Sequence, residues 1–170
     1  MTILIDTERL QMRHFHADDT AAVYAFSSDP DVTRYTGDAG MVTSLADARG
    51  IIDDIWLREY QQYGYGRYAL VHKADDKVIG FCGFKYDPQQ QLTDLGYRIL
   101  PAYWQQGLAS EAVAAVLNYG RDQLKLTTVV ADAAIDNTGS NKVLLNHGFQ
   151  WVKRHTLYGF EMNHYQIQLT

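Results

Sequence analysis

Three strand-like segments separated by very short turns constrain this chain more than any other feature. Arg67–His72, Val78–Tyr86 and Thr93–Leu100 alternate with the polar spacers Lys73–Lys77 and Asp87–Gln91. Both spacers are of hairpin length, which predicts three consecutive antiparallel strands. A helix follows from Gly107 to about Leu124, because Ala109, Ala112, Val113, Val116, Leu117 and Leu124 recur at helical spacing. A meander that feeds directly into an amphipathic helix needs further elements to cover its second face.

Those elements are legible on either side. Arg9–Phe15 alternates as a strand. Asp18 and Asp19 precede a helix over Thr20–Ser28, where acids suit the positive end of the helix dipole, and Asp29-Pro30 ends it. Thr43 or Ser44 caps a second helix to about Tyr60, with the stripe Leu45, Ala48, Ile52, Ile55 and Trp56. Gly64 and Gly66 break it. After the long helix come a strand at Thr127–Ala133, a short helix at Ser140–Asn146 stopped by His147-Gly148, and strands at Phe149–His155 and Asn163–Leu169. Helices inserted singly among strands predict one mixed α/β domain over residues 1–170. Its core is a mostly antiparallel twisted sheet of about seven strands with helices on both faces.

Composition narrows the function. Fifteen basic against twenty acidic residues give a net charge of −5, a poor basis for gripping nucleic acid. The N-terminus carries Asp6, Glu8 and Arg9 before any apolar run, unlike a signal peptide. No stretch approaches the roughly 20 apolar residues of a membrane span. Cys82 is the single cysteine, so no intrachain disulfide forms, and a cytoplasmic location is expected. Cys82 sits in an apolar run and reads as a packing thiol. The six histidines show no HExxH or Cys/His spacing, and no metal site is expected. GxxxxGK[ST], GxGxxG in a strand-to-helix context and GxSxG are all absent.

The chemistry concentrates in Leu95-Gly96-Tyr97-Arg98-Ile99-Leu100-Pro101-Ala102-Tyr103-Trp104-Gln105-Gln106-Gly107-Leu108-Ala109-Ser110-Glu111-Ala112. Here a strand runs through a short loop into a helix. Small residues at the junction let a ligand approach the backbone, and the first helical amides have no intrahelical acceptor. Such a terminus suits a phosphate or pyrophosphate.

This block, with Asp136-Asn137-Thr138-Gly139-Ser140-Asn141-Lys142-Val143-Leu144-Leu145-Asn146-His147-Gly148-Phe149, resembles the GNAT superfamily of acetyl-CoA-dependent N-acetyltransferases. It is most similar to the branch containing the ribosomal-protein N-terminal acetyltransferases. Thr7–Arg13, Gly66–Leu70 and Val78–Gly83 fit the same branch, so the resemblance spans nearly the whole chain. It implies a GNAT-like fold and acetyl-CoA as co-substrate. The cofactor-binding positions it implies are Leu100, Trp104, Gln105, Gln106, Gly107, Leu108, Ala109, Ser110, Asn137, Ser140 and Lys142. Loop amides would hold the pyrophosphate and Asn137 the pantetheine arm. Lys142 would reach a phosphate, and a backbone N–H on the strand ending at Leu100 would face the oxyanion. Many relatives place a Tyr seven residues after the Asn as the acid for the leaving thiolate. Leu144 stands there, and Ser140 is the branch's substitute.

An amine with a pKa near 10 must lose a proton before it attacks a thioester. Asp94 is the candidate base, sharing a strand face with Gly96 and Arg98. The alternatives are that it pairs with Lys85 or Arg98, or that a water relay takes the proton. Glu111, in the first helical turn, suits a structural role. Tyr35, Tyr63 and Tyr65 lie in loop-like segments and could line an acceptor pocket, whereas Trp56 and Tyr68 read as core. The expected function is direct transfer of an acetyl group to a primary amine in a ternary complex. The acceptor would be a small molecule or a peptide N-terminus, and the enzyme a monomer or homodimer. A CoA-binding sensor without catalysis is the alternative, motivated by Leu144.

Overall fold

A computed structural model describes residues 1–170. Eight strands form one sheet: β1 (Ile5–Asp6), β2 (Leu10–Arg13), β3 (Arg67–His72), β4 (Lys77–Asp87), β5 (Leu92–Ile99), β6 (Thr128–Ala134), β7 (Gln150–Leu157) and β8 (Phe160–Gln168). The spatial order is β1-β2-β3-β4-β5-β6-β8-β7. The helices are α1 (Thr20–Ser28), α2 (Leu45–Gly50), α3 (Leu57–Tyr63), α4 (Leu108–Asp122) and α5 (Thr138–Asn146). The strand absent from the sequence reading is β1. Its two residues, pairing Ile5 with Met12, are too few to show any periodicity.

The helices cover both faces, as β4 makes plain. Its residues Ile79–Phe84 are all buried, and their side chains alternate between two cores. Phe81 meets Phe26 of α1 and Trp56 on one face. On the other face Phe84 lies against α4, so closely that a Cβ on Gly120 would stand 2.8 Å from its ring. Burial pushes the Cys82 thiol, between them, up to about 12, in keeping with a packing role.

The second helix differs from its expected stripe. Ile51–Trp56 winds as a π-helix between α2 and α3. The buried positions are Ala48, Ile52, Trp56 and Tyr60, each four residues after the last, while Leu45 and Ile55 are exposed. Four-residue steps drift around an ordinary α-helix, and the wider i→i+5 winding absorbs that drift. Ser44 caps α2 through the Asp47 amide, as the sequence suggests.

All neighbouring strands pair antiparallel except β5 and β6, which are joined by the crossover through α4. That parallel pair has a single register point, Asp94 opposite Val130. Beyond it β5 continues to Ile99 and β6 to Ala134 without pairing with each other, so the sheet splits at the carboxyl ends of its two parallel strands. Open α/β sheets bind ligands at such a crevice.

Candidate active site

The split opens into a cleft of about 1480 Å³ that reaches both faces of the sheet. On β5 the side chains alternate. Asp94, Gly96 and Arg98 point to one face, and Leu95, Tyr97 and Ile99 to the other. The backbone alternates too. Leu100 donates its N–H to the Ile79 carbonyl at 2.9 Å, toward β4. Ladder alternation therefore turns the amides of Ile99 and Tyr97 toward the gap. The Leu100 amide is itself turned into the sheet, so the amides at the gap belong to Tyr97 and Ile99.

One face of the cleft is built by the α4 entrance. Gln105 and Gly107 both adopt positive φ, 59° and 78°, and the loop turns sharply into the helix. No side chain caps α4. Its first backbone bond runs from the Glu111 amide to the Gly107 carbonyl, leaving the amides of Leu108, Ala109 and Ser110 without helical acceptors. Trp104 anchors the loop by donating its indole N–H to the Ile99 carbonyl at 2.6 Å. Arg9 braces it from outside, donating to the Gln106 carbonyl at 2.7 Å and to Glu111 at 2.8 Å. Glu111 also accepts from the Thr7 hydroxyl and the Arg9 amide. Burial alone would raise its carboxyl, but these hydrogen bonds outweigh it and hold Glu111 below the ordinary range. Gln106 and Lys142, expected near the cofactor, do not line the cleft. Arg9 holds the Gln106 carbonyl on the outside, and Lys142 is exposed on α5.

Across the gap, Asn137 caps α5 by accepting from the Ser140 amide at 3.3 Å. Asn141 fastens the helix to the sheet by donating to the Ala134 carbonyl at 2.9 Å. The Ser140 hydroxyl then lies 2.9 Å from the Tyr97 hydroxyl. Burial raises the Tyr97 phenol, with the Ser140 hydrogen bond pulling the other way. Tyr97 lies within Leu95–Ala112, where the sequence assigns it no role. Alternation along β5 carries it away from Asp94 and onto Ser140, while Leu144 is buried at the same end of the cleft.

The opposite face carries charge. Arg67 reaches across Gly96 to Asp94 at 2.9 Å. A Cβ at Gly96 would stand 2.8 Å from that guanidinium, so the glycine leaves it room. Neither expected partner of Asp94 engages it, because Lys85 pairs with Glu59 and Arg98 with Asp38. Burial raises the Asp94 carboxyl, and the Arg67 charge and hydrogen bond oppose that rise. Tyr35 lines this face. Tyr63 and Tyr65 do not. Tyr63, the last residue of α3, packs on Tyr86, and the Tyr65 hydroxyl lies 2.7 Å from that of Thr93 while its ring meets Phe84, on the face of β4 that packs against α4. Further along the same face, Asp132, His155 and His164 meet through one carboxylate oxygen. These histidines looked scattered in sequence because three different strands supply the group.

The family profile described as "Acetyltransferase (GNAT) domain" matches residues 9–150. The N-acetyltransferase YoaA of Bacillus subtilis (strain 168), itself uncharacterised, is 33% identical over 148 residues, covering 86% of this chain and 82% of its own. The ribosomal-protein-serine acetyltransferase of Escherichia coli (strain K12) is 29% identical over 89 residues, 52% of this chain and 49% of its own. Among solved structures, RimL, a ribosomal L7/L12 α-N-protein acetyltransferase in complex with coenzyme A, superposes with a TM-score of 0.86. It is 18% identical and covers 99% of this chain and 98% of its own. No helix here is long and apolar enough to cross a membrane.

Proposed function

This chain belongs to the GNAT acetyltransferase family and uses acetyl-CoA, and from that premise we propose that it acetylates a primary amine by direct attack in a ternary complex. The observation that carries this reading is the gap beyond Asp94 and Val130, which joins two half-sites on opposite faces of one sheet. One half has free amides suited to a diphosphate, the other charged and aromatic groups suited to a cationic acceptor.

The residues fit the co-substrate. Leu108, Ala109 and Ser110 offer amides to the pyrophosphate, and Gly107 and the Gln105 turn keep the backbone open to it. Asn137 spends its carbonyl on the Ser140 amide, which leaves its NH₂ for an amide-bearing arm such as pantetheine. When bound, the co-substrate supplies an activated acyl group as a thioester. The amides of Tyr97 and Ile99 offer donors to a carbonyl oxygen that gains charge. The hydroxyl pair Tyr97–Ser140 delivers a proton to the departing sulfur, taking the role for which Leu144 has no chemistry. Held together, amine and thioester react as one unit, which removes much of the entropic barrier.

The acceptor class rests on relatives. The Escherichia coli enzyme and RimL act on ribosomal proteins, which favours a peptide α-amino group, serine first. Two measurements test the reading. Acetyl-CoA at about 100 times its dissociation constant should stabilise the protein by roughly 2.7 kcal/mol. A peptide with a free N-terminal serine should release free thiol in its presence. Binding without release on any amine would leave the sensor reading in its place.

A further inference from the structure

We propose that Asp132, His155 and His164 form the proton-accepting unit for the incoming amine, an inference that rests on the amine-transfer reading above. Asp94, the carboxylate first suggested by the sequence, has one oxygen held by Arg67 at 2.9 Å. The histidine group lies on the same face of the cleft. Asp132 stands two residues beyond Val130 on β6, so it faces the same way as Asp94.

A register shift assembles the group. His164 sits directly opposite Asp132 in the β6–β8 ladder. Between Trp151 and Lys153 the β7–β8 register slips by one residue, placing Lys153 opposite His164 and His155 opposite Met162. Without that bulge His155 would project from the other face, because a one-residue slip inverts every side chain. The result brings Nε2 of His155 to 2.7 Å and Nδ1 of His164 to 2.9 Å from the same Asp132 oxygen.

A carboxylate only accepts, so both of these nitrogens donate. Each neutral ring then keeps its other nitrogen, Nδ1 of His155 and Nε2 of His164, as a base. The separations suit hydrogen bonds better than a bound ion. Donors around a tetrahedral zinc at about 2.05 Å stand roughly 3.3 Å apart. The side chains keep 29%, 13% and 18% of their surface for His155, His164 and Asp132, enough for a substrate or one water to reach them. Facing the group are Asp94 with its partner Arg67, and Lys153 beside His164 on β7.

The step balances. An imidazole nitrogen takes one proton from the ammonium and passes it to solvent. The freed nitrogen lone pair forms the C–N bond as the C–S bond breaks. The second nitrogen proton is lost as the amide forms, and it balances the one that Tyr97–Ser140 gives to sulfur.

The test is thiol release from acetyl-CoA by the full chain, with an N-terminal serine peptide and with spermidine, from about pH 5.5 to about pH 9. The variants are His155→Gln, His164→Gln, their double, Asp132→Asn and Asp94→Asn. Acetyl-CoA binding is followed in parallel by thermal shift. The double histidine variant should lose about tenfold or more in kcat/KM near neutrality, keep its acetyl-CoA shift, and recover as pH approaches the amine's own pKa. Asp132→Asn, which preserves the volume, should show the same profile if the double variant folds poorly. A wild-type pH profile in folded variants would overturn the proposal and leave the amine-transfer reading standing. So would loss of activity to a chelator with recovery on added zinc. A wild type that binds acetyl-CoA yet releases no thiol with either amine would reject the amine-transfer reading, and this proposal with it.

Discussion

The hydroxyl of Tyr97 on β5 lies 2.9 Å from the hydroxyl of Ser140 on α5, across the gap where the sheet divides. The pair makes the one side-chain hydrogen bond between these two elements. If it protonates the leaving sulfur, Tyr97→Phe and Ser140→Ala should each lower kcat by about 10²-fold and leave acetyl-CoA binding nearly intact. Single-turnover thiol release against a thermal-shift titration separates the two effects. Burial holds the Tyr97 phenol above its ordinary value of 10.0, so it stays protonated through neutrality. No loss of rate below about pH 10 should trace to Tyr97.

Arg9 and Glu111 brace the α4 entrance from outside the cleft. Glu111→Gln keeps the shape and removes the charge that holds Thr7 and Arg9. Because the folded Glu111 carboxyl is depressed, its contribution to stability is present above the ordinary carboxyl range. That contribution is lost as pH falls through the depressed value. The Tm gap between wild type and Glu111→Gln should therefore be full at neutrality and close below about pH 4.3. The variant should also raise KM for acetyl-CoA severalfold, because the loop amides lose their brace.

Gly107 sits at φ 78° at the start of α4. Gly107→Ala forces a side chain into the left-handed region at a cost of roughly 1–2 kcal/mol. Gln105 occupies a similar conformation without being glycine, so Gln105→Gly should be tolerated or mildly stabilising. Urea unfolding of both variants measures the contrast.

Far from the chemistry, Arg13 and Asp19 form a buried bidentate pair at 2.8 and 3.0 Å. Asp19→Ala strands the guanidinium and should cost about 3–5 kcal/mol. For a chain of this length that lowers Tm by roughly 6–20 °C. Activity well below the new Tm should persist, since the pair touches nothing in the cleft.

Among the tyrosines the prediction is selective. Tyr35→Ala should raise KM for the amine, because Tyr35 lines the cleft at the face proposed to take the acceptor. Tyr63→Ala and Tyr65→Phe should leave that KM unchanged, as neither residue lines the cleft: Tyr63 packs on Tyr86, and Tyr65 on Phe84 and Thr93. Initial-rate measurements at varied amine concentration distinguish them.

Local pattern carried most of the fold. The hairpin spacers, the helical stripe from Ala109 to Leu124 and the Ser44 cap each encode their element within a few residues, and the structure shows those elements within a residue or two. The loop that opens α4 was legible in form for the same reason, since Trp104, Gly107, Ala109 and Ser110 are contiguous with the helix they open. In the second helix Ala48, Ile52 and Trp56 are buried as the stripe implies, but Leu45 and Ile55 misled, because a π-helical segment changes the period from which a face is read.

Partnership across distant segments was not legible. Tyr97 and Ser140 are 43 residues apart. The Asp132 group draws on three strands and depends on a bulge that no single strand announces. Asp94 found Arg67 rather than its sequence neighbours, because pairing β3, β4 and β5 lays Arg67 across Gly96. Backbone periodicity is a property of neighbours along the chain, so sequence determined the elements and the loop chemistry. Which side chains share a cavity depends on strand order, register and where the sheet divides, and only the assembled tertiary structure decides those.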